Sequence, residues 1–297
     1  MRIRRRTFLK TTGLALAAGA GLAPRISRGQ EADFLSAELE RIERASGGRL
    51  GVSVIDTADG TRTGRRGDER FPMCSTFKFL LAGAVLKAAD EHRLTLAERV
   101  AIAEADLLAH SPITERNLGP RGMSLSQLCE AAVIESDNAA ANLLLPRVGG
   151  PAGLTAFLRS IGDPLTRSDR TEPTMNQFVP GDPRDTTTPA SMADDMRRLV
   201  LGDALSPTSR RRLTTWLLHN RTGGARLRAG LPRGWRVGDK TGSNGTDTTN
   251  DVAIVWPTGG RAPLIVAVFL NGATVDITAQ NAAHAEVARV VARSLAE

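Results

Sequence analysis

The sequence predicts an α/β fold of the α+β type, in which an antiparallel sheet flanked by terminal helices carries an inserted all-α domain. Three observations predict this fold. The chain opens with a helical and then a strand pattern, strand patterns return after Gly234 and end in a helix, and the segment between is helical.

The two ends of the chain supply the predicted α/β domain. Residues 34–45 repeat apolar side chains at helical spacing and stop before two glycines, and residues 50–60 alternate like a strand that runs into a turn. Further along, three β-branched runs cover residues 235–242, 250–257 and 263–272, and an amphipathic helix follows at residues 282–295. We therefore expect residues 31–67 and 219–297 to form one domain.

The middle of the chain is predicted to be helical. From Ser75 to about Leu217 most segments repeat apolar residues at helical spacing, as in SLSQLCEAAVIE at residues 124–135. We expect residues 68–218 to form an all-α domain inserted into the α/β domain.

Residues 1–30 have the pattern of an export signal. They combine a basic start, a weakly apolar core at residues 11–22 and small residues near the end. Arg5-Arg6-Thr7-Phe8-Leu9-Lys10 resembles the twin-arginine type, so the twin-arginine export machinery is the expected partner of the precursor. The mature protein would then be periplasmic or secreted. The alternative is a basic, disordered N-terminus.

The charge balance excludes some function classes. Seven of the 39 basic residues lie in residues 1–30, which hold no acid, so 32 basic residues face 32 acidic ones in the rest. This balance does not support a nucleic-acid partner. No run of about 18 apolar residues indicates a membrane span in the mature form, and we expect a monomer.

The cysteines and histidines give little evidence for a disulfide or a metal site. Cys74 and Cys129 can form a disulfide in an oxidising compartment or remain two buried thiols. The four histidines are scattered and no Cys/His cluster has metal-ligand spacing, so no metal and no cofactor are predicted.

Ser75 and Lys78 form the first chemical signal. Pro72 and Cys74 precede a long apolar run, so Ser75 falls near a helix N-terminus with Lys78 on the same face. A lysine can act as a base for a serine if burial or nearby positive charge lowers its pKa. Alone, the pair is more typical of a capping serine followed by a surface lysine.

Lysine is rare in this chain, which makes its positions informative. Only Lys10, Lys78, Lys87 and Lys240 are lysines, and the other 35 basic residues are arginines. Because arginine cannot be deprotonated in proteins, it cannot replace a catalytic lysine. Lys78 and Lys240 both lie in candidate motifs.

Three triplets occur in a characteristic order: Ser75 with Lys78, then Ser136-Asp137-Asn138, then Lys240-Thr241-Gly242. This set resembles the signature of class A serine β-lactamases and the related penicillin-binding proteins. The resemblance covers nearly the whole mature sequence. It implies an active site between the two domains.

A fourth segment favours the hydrolases within that superfamily. Residues 170–185, RTEPTMNQFVPGDPRD, resemble the class A omega loop, with Glu172 and Asn176 in its E-x-x-x-N and Arg170 and Asp185 as its closing ion pair. A transpeptidase lacks this carboxylate. The absence of tyrosine excludes the Tyr-x-Asn mechanism of class C enzymes.

The resemblance implies a role for each motif residue. Ser75 would attack the lactam carbonyl after losing its proton to Lys78 or, through water, to Glu172, and Ser136 would pass a proton to the lactam nitrogen. The backbone N–H groups of Ser75 and Ser243 would form the oxyanion hole. Glu172 would then activate the hydrolytic water.

Further residues are expected to bind the β-lactam substrate; they are Asn138, Asn176, Lys240, Thr241, Gly242, Ser243, Arg226 and His110. Arg226 matches a position from which some members reach the substrate carboxylate, and a surface charge is the alternative. His110 stands where relatives carry a residue at the cleft mouth.

The resemblance implies a β-lactamase that confers resistance to penicillins and to some cephalosporins. Residues 240–257 are similar to the same segment of extended-spectrum cephalosporinases. Ser243 and Asn244 stand where carbapenem-hydrolysing relatives often carry a second cysteine. The rival functions are a penicillin-binding peptidase, a β-lactam-acylated receptor and a pure binding module.

Overall fold

The computed structural model describes residues 28–294, so the predicted export signal lies outside the described residues except for its last three positions. The helices are α1 (Arg28–Ser46), α2 (Phe77–Asp90), α3 (Leu125–Ile134), α4 (Asn138–Leu144), α5 (Gly150–Ser160), α6 (Pro189–Val200), α7 (Pro207–Leu218), α8 (Leu227–Gly230) and α9 (Ile277–Arg293). The strands are β1 (Arg49–Asp56), β2 (Arg62–Arg65), β3 (Phe71–Pro72), β4 (Arg99–Ile102), β5 (Gly119–Ser124), β6 (Thr186–Thr187), β7 (Arg236–Ser243), β8 (Thr249–Trp256) and β9 (Leu264–Asn271).

Five strands form one antiparallel sheet in the order β2-β1-β9-β8-β7. β1 pairs with β9 from Arg49 opposite Asn271 to Asp56 opposite Leu264, which joins the two ends of the chain. The predicted antiparallel sheet built from both ends is therefore confirmed. β2 was not predicted, because its sequence RTGR lacks the apolar residues that mark a strand.

Helices cover both faces of the sheet. On one face, Val52 and Val268 pack with Leu39 of α1 and Val287 of α9. On the other face, strand residues such as Phe269 join the larger core that contains α2, α6 and α7. β1 is consequently buried at six successive positions rather than alternating between core and solvent.

The middle of the chain is mainly helical, with α2 at its centre. Eleven of the fourteen residues of α2 are buried, among them Lys78. Two short antiparallel pairs, β3 with β6 and β4 with β5, were not predicted. Strands of two residues leave no periodic signal, and β4 and β5 carry arginines at exposed positions. The boundaries of the two predicted domains remain a prediction.

β7 lies against the turn that begins α2. A Cβ atom added to Gly242 would lie 2.7 Å from the Met73 carbonyl oxygen and 3.1 Å from the Thr76 nitrogen. Only a glycine allows this approach of strand to turn. Among the described helices, none is both long enough and apolar enough to cross a bilayer.

Candidate active site

Ser75 is presented by a 3₁₀ turn, Cys74–Thr76, that leads directly into α2. Cys74 has a φ of +43°, in the left-handed region that non-glycine residues rarely adopt. The Met73 carbonyl accepts hydrogen bonds from the Thr76 nitrogen (3.2 Å) and from Thr76 Oγ1 (2.7 Å). The turn keeps Ser75 partly accessible while its neighbours are buried.

Lys78 lies one turn along α2 and is completely buried. Its Nζ donates to Ser75 Oγ (3.0 Å), to the Ser136 carbonyl (2.7 Å) and to Asn138 Oδ1 (2.5 Å). It also lies 3.2 Å from Glu172 Oε1. Burial lowers the pKa of the Lys78 ammonium, and the Glu172 carboxylate opposes that shift.

Glu172 is 3% exposed, and its Oε1 contacts both the nucleophile and Lys78. Ser75 Oγ donates to its Oε1 (3.2 Å), and Asn176 Nδ2 donates to its Oε2 (2.6 Å). Asn142 of α4 holds its backbone on both sides, donating to the carbonyl (2.9 Å) and accepting from the nitrogen (3.0 Å). The carboxylate is thus fixed toward Ser75.

The segment that carries Glu172 is closed by an ion pair. Arg170 Nε lies 2.6 Å from Asp185 Oδ2, and the other oxygen of this buried carboxylate accepts from the nitrogens of Asp169 (2.8 Å) and Arg170 (3.0 Å). These contacts tie both ends of residues 170–185 together.

Ser136 and Lys240 form a second serine–lysine contact beside the first. Lys240 Nζ donates to Ser136 Oγ (3.0 Å) and to the Thr241 carbonyl (2.8 Å). Ser136 has a φ of +59°, a strained conformation that turns its carbonyl toward Lys78. Burial, and then the charge of Lys78, lower the pKa of Lys240 well below its ordinary value.

The two lysines therefore each face a serine hydroxyl in a largely buried site. Each lysine is buried, and each donates to a serine oxygen at 3.0 Å. A lysine with a lowered pKa loses its proton more readily and can then exchange one with a neighbouring hydroxyl. The arrangement can take a proton from one serine and deliver one through the other.

β7 borders the site on its other side. Thr241 Oγ1 lies 2.5 Å from Thr222 Oγ1, and Ser243 Oγ accepts from the Gly245 nitrogen (3.0 Å). Gly242, the residue before Ser243, packs on the turn that presents Ser75. Two backbone N–H groups from different elements can meet there at one oxygen.

Arg226 is not a surface charge, since it is only 9% exposed. Its Nη1 donates to the carbonyls of Gly242 (2.8 Å) and Asn250 (2.6 Å), and its Nε to Asn281 Oδ1 (2.8 Å). The guanidinium thus lies under β7 and ties it to β8 and α9. Burial lowers its pKa, while Asp251 and Asp239 oppose this shift.

His110 and Asn138 are adjacent at the edge of the site. The Asn138 nitrogen donates to the His110 carbonyl (3.0 Å), and Asn138 Nδ2 donates to the Ala109 carbonyl (2.8 Å). The His110 ring is exposed, and its Nε2 lies 2.8 Å from the Glu135 carbonyl oxygen. In the described part of the chain, no hydrogen bond joins the His110 ring to either serine–lysine pair.

Cys74 and Cys129 are both free and buried, so they do not form a disulfide. Burial raises the pKa of the Cys74 thiol to about 12 and also raises that of Cys129. Within the described part of the chain, no cluster of three or more histidine, cysteine or acidic side chains could hold a metal ion. The absence of a metal from the reaction stays a prediction.

Comparison with known proteins identifies the family. The chain matches the model described as the β-lactamase enzyme family over residues 34–295. The chain belongs to this family. β-Lactamase L2 of Stenotrophomonas maltophilia is 47% identical over 301 residues, covering 98% of this chain and 99% of the relative. β-Lactamase CTX-M-8 of Citrobacter amalonaticus is 48% identical over 270 residues, covering 91% and 90%.

Solved structures place it among the class A β-lactamases. A β-lactamase from Xanthomonas campestris pv. campestris is 56% identical, with a TM-score of 0.88 and coverage of 89% of this chain and 98% of that one. An ancestral class A β-lactamase is 58% identical, with a TM-score of 0.85 and coverage of 88% and 99%. The predicted fold and family are confirmed.

In this class A β-lactamase, two supporting residues were not predicted individually. Asn142, which holds the Glu172 backbone, is the only polar residue of α4 after Asn138, and this was the available signal. Asp137 caps α4 through the Ala140 nitrogen (2.9 Å) and accepts from the nitrogens of Ile113 and Thr114, both at 2.9 Å. Asp137 thereby fixes the position of Ser136 and Asn138.

Proposed function

We propose that the protein hydrolyses the amide bond of penicillins, and also of cephalosporins, through an acyl-enzyme on Ser75 that Glu172 helps to release. One observation carries the proposal. Ser75 Oγ lies 3.0 Å from Lys78 Nζ and 3.2 Å from Glu172 Oε1, so two possible proton acceptors flank one nucleophile.

Acylation begins with attack of Ser75 Oγ on the lactam carbonyl carbon. The proton of Ser75 passes to Lys78 or, through a water, to Glu172. The charge on the carbonyl oxygen is stabilised by the N–H groups of Ser75 and Ser243. As the carbon–nitrogen bond breaks, Ser136 gives its proton to the lactam nitrogen and regains one from the lysines 3.0 Å and 3.4 Å away.

Deacylation depends on Glu172. Its carboxylate takes a proton from a water that attacks the Ser75 ester, and the Ser75 oxygen leaves with a proton to restore the enzyme. Asn176 fixes the carboxylate at 2.6 Å, and its own Oδ1 is buried with no partner within residues 28–294. That oxygen is available to hold the water.

Residues on and beside β7 would bind the carboxylate of the substrate. Lys240, Thr241, Ser243 and the buried Arg226 supply the cation and hydroxyl groups that a β-lactam carboxylate requires. Asn138 would orient the side-chain amide of the substrate. His110, exposed beside Asn138, would contact that side chain at the cleft mouth. The mechanism needs no metal or cofactor.

The pattern of residues 1–30 supports export through the twin-arginine machinery, and the expected mature form is a monomer in the periplasm or secreted. The two named relatives are β-lactamases, which supports a β-lactam as substrate and antibiotic resistance as the outcome.

A time course with a chromogenic cephalosporin tests the proposal. Purified residues 31–297 should turn over many equivalents of substrate, and the Ser75→Ala variant should turn over none. Lys87→Ala serves as the control, since Lys87 lies on α2 and its described ion pair is with Glu91. A stoichiometric burst without turnover in the parent would instead indicate a penicillin-binding protein.

A further inference from the structure

The side-chain amide of Asn250 connects strand β8 to the segment that precedes the Ser75 turn. It is fully buried on β8, and its Nδ2 donates to the carbonyls of Pro72 (2.9 Å) and Met73 (3.0 Å). Met73 lies two residues before Ser75. An amide from the large sheet is thus bonded to the segment that leads into the nucleophile turn.

The same residue lies opposite the strand that carries Ser243. In the β7–β8 ladder, Asn250 pairs with Gly242, and its carbonyl shares Arg226 Nη1 with the Gly242 carbonyl. A Cβ added to Gly242 would lie 3.2 Å from Asn250 Nδ2. The amide therefore passes directly beside Gly242 to reach the Met73 carbonyl.

The orientation of this amide is fixed by its neighbours. Turning it over would place Oδ1 against two carbonyl oxygens, which is unfavourable. As it stands, Oδ1 is buried without a partner in the described chain. A buried oxygen without a hydrogen bond destabilises the fold, and an apolar side chain of the same size would avoid that cost. We therefore infer that the two hydrogen bonds of Nδ2 serve a purpose other than packing.

We propose that Asn250 is a positioning residue for the oxyanion hole. By holding the Pro72 and Met73 carbonyls to the β7–β8 pair, it sets the separation between the Ser75 and Ser243 N–H groups. The inference rests on the proposed function, because both N–H groups must act on the same substrate oxygen. Arg226 donates to the Gly242 and Asn250 carbonyls and so supports the strand side of this arrangement.

The test compares Asn250→Leu with the parent. Leucine is close to asparagine in size and has no donor, so the bonds to Pro72 and Met73 are lost. Since misplacement by about 1 Å can cost 10²-fold in rate, kcat/KM for a chromogenic cephalosporin should fall by about 10-fold to 100-fold, with KM little changed. Affinity for phenylboronic acid, whose tetrahedral adduct places an oxygen in the oxyanion hole, should fall in proportion.

Asn271→Leu is the matched control. Asn271 is a buried asparagine on the neighbouring strand β9, and its Nδ2 donates to Thr248 Oγ1 (2.9 Å) rather than to the nucleophile turn. This variant should keep the kcat/KM and boronate affinity of the parent, even where both variants lose thermal stability.

The possible outcomes distinguish a failure of the proposed function from a failure of the role of Asn250. Absence of turnover in the parent contradicts the proposed function itself. Turnover in the parent with unchanged kcat/KM and boronate affinity in Asn250→Leu overturns the role of Asn250, as does an equal loss in Asn271→Leu. If Asn250→Leu does not fold, a crystal structure of the parent with bound boronate tests the role of Asn250 instead. Nδ2 still bonded to both carbonyls supports the role, and its departure from them overturns it.

Discussion

Lys78 Nζ lies 3.2 Å from Glu172 Oε1, and the side chains of both residues are inaccessible to solvent. Ser75 Oγ lies within hydrogen-bond distance of both groups. A buried ion pair of this kind is costly to desolvate, and its presence beside a nucleophile indicates a catalytic rather than a stabilising use.

Lys78→Arg tests whether Lys78 must give up its proton. Burial lowers the pKa of Lys78, so the neutral amine becomes more populated as pH rises toward 10.5, whereas arginine stays charged. We expect the acylation rate of Lys78→Arg to fall by about 10²-fold to 10⁴-fold. Single-turnover rates between pH 5 and 10 measure this. Acylation at the rate of the parent would exclude Lys78 as a base.

Arg226→Ala should weaken substrate binding and stability together. The substitution removes a cation beside the expected carboxylate site and leaves the Gly242 and Asn250 carbonyls without their donor. The free energy of unfolding should fall by about 1–3 kcal/mol, and KM should rise more than kcat falls. Urea unfolding and steady-state kinetics check both parts. An unchanged KM would remove Arg226 from the substrate site.

His284 should make stability depend on pH in a defined window. Burial lowers its pKa to about 3, against an ordinary value of 6.5, so the unfolded chain binds one more proton between these values. The free energy of unfolding should therefore fall with pH from 6.5 to 3, by up to about 1.4 kcal/mol per pH unit from this group.

His284→Gln removes that contribution, and urea midpoints at several pH values measure it. His219→Gln is the control, because the His219 ring is exposed at the end of α7. The slope of stability against pH should decrease for His284→Gln alone. Equal slopes in all three proteins would show that His284 titrates normally.

The two cysteines should be unreactive in the native protein. Cys74 and Cys129 are both 0% exposed, and burial raises the pKa of both thiols. A chromogenic thiol reagent should label neither residue in native protein and both after denaturation without reductant. Absence of label after denaturation would show a disulfide, and rapid native labelling would show an accessible thiol.

Much of the site could be predicted because its residues lie in short linear motifs. Ser75 with Lys78, the Ser136 triplet and the Lys240 triplet were singled out because their order along the chain matches a family signature. Asn250, Asn142 and His284 could not be found in this way. Each acts through contacts with residues between 30 and 178 positions distant, which only the tertiary structure brings together.

Some elements of the fold could likewise not be predicted from their own sequence. The sheet residues of β8 and β9 were predicted from β-branched runs, but β2 and the two short strand pairs depend on their partners rather than on their own composition. α1 begins at Arg28, six residues before the predicted helix, because its polar first turns lack the apolar repeat.

The most direct test of the central claim is intact-mass measurement of the Glu172→Gln variant during reaction with a penicillin or a chromogenic cephalosporin. Glutamine keeps the shape of Glu172 but cannot take a proton from water, so we predict that the Ser75 acyl-enzyme accumulates and persists while the parent returns to its free mass. Continued turnover in Glu172→Gln without a detectable acyl-enzyme would contradict the account.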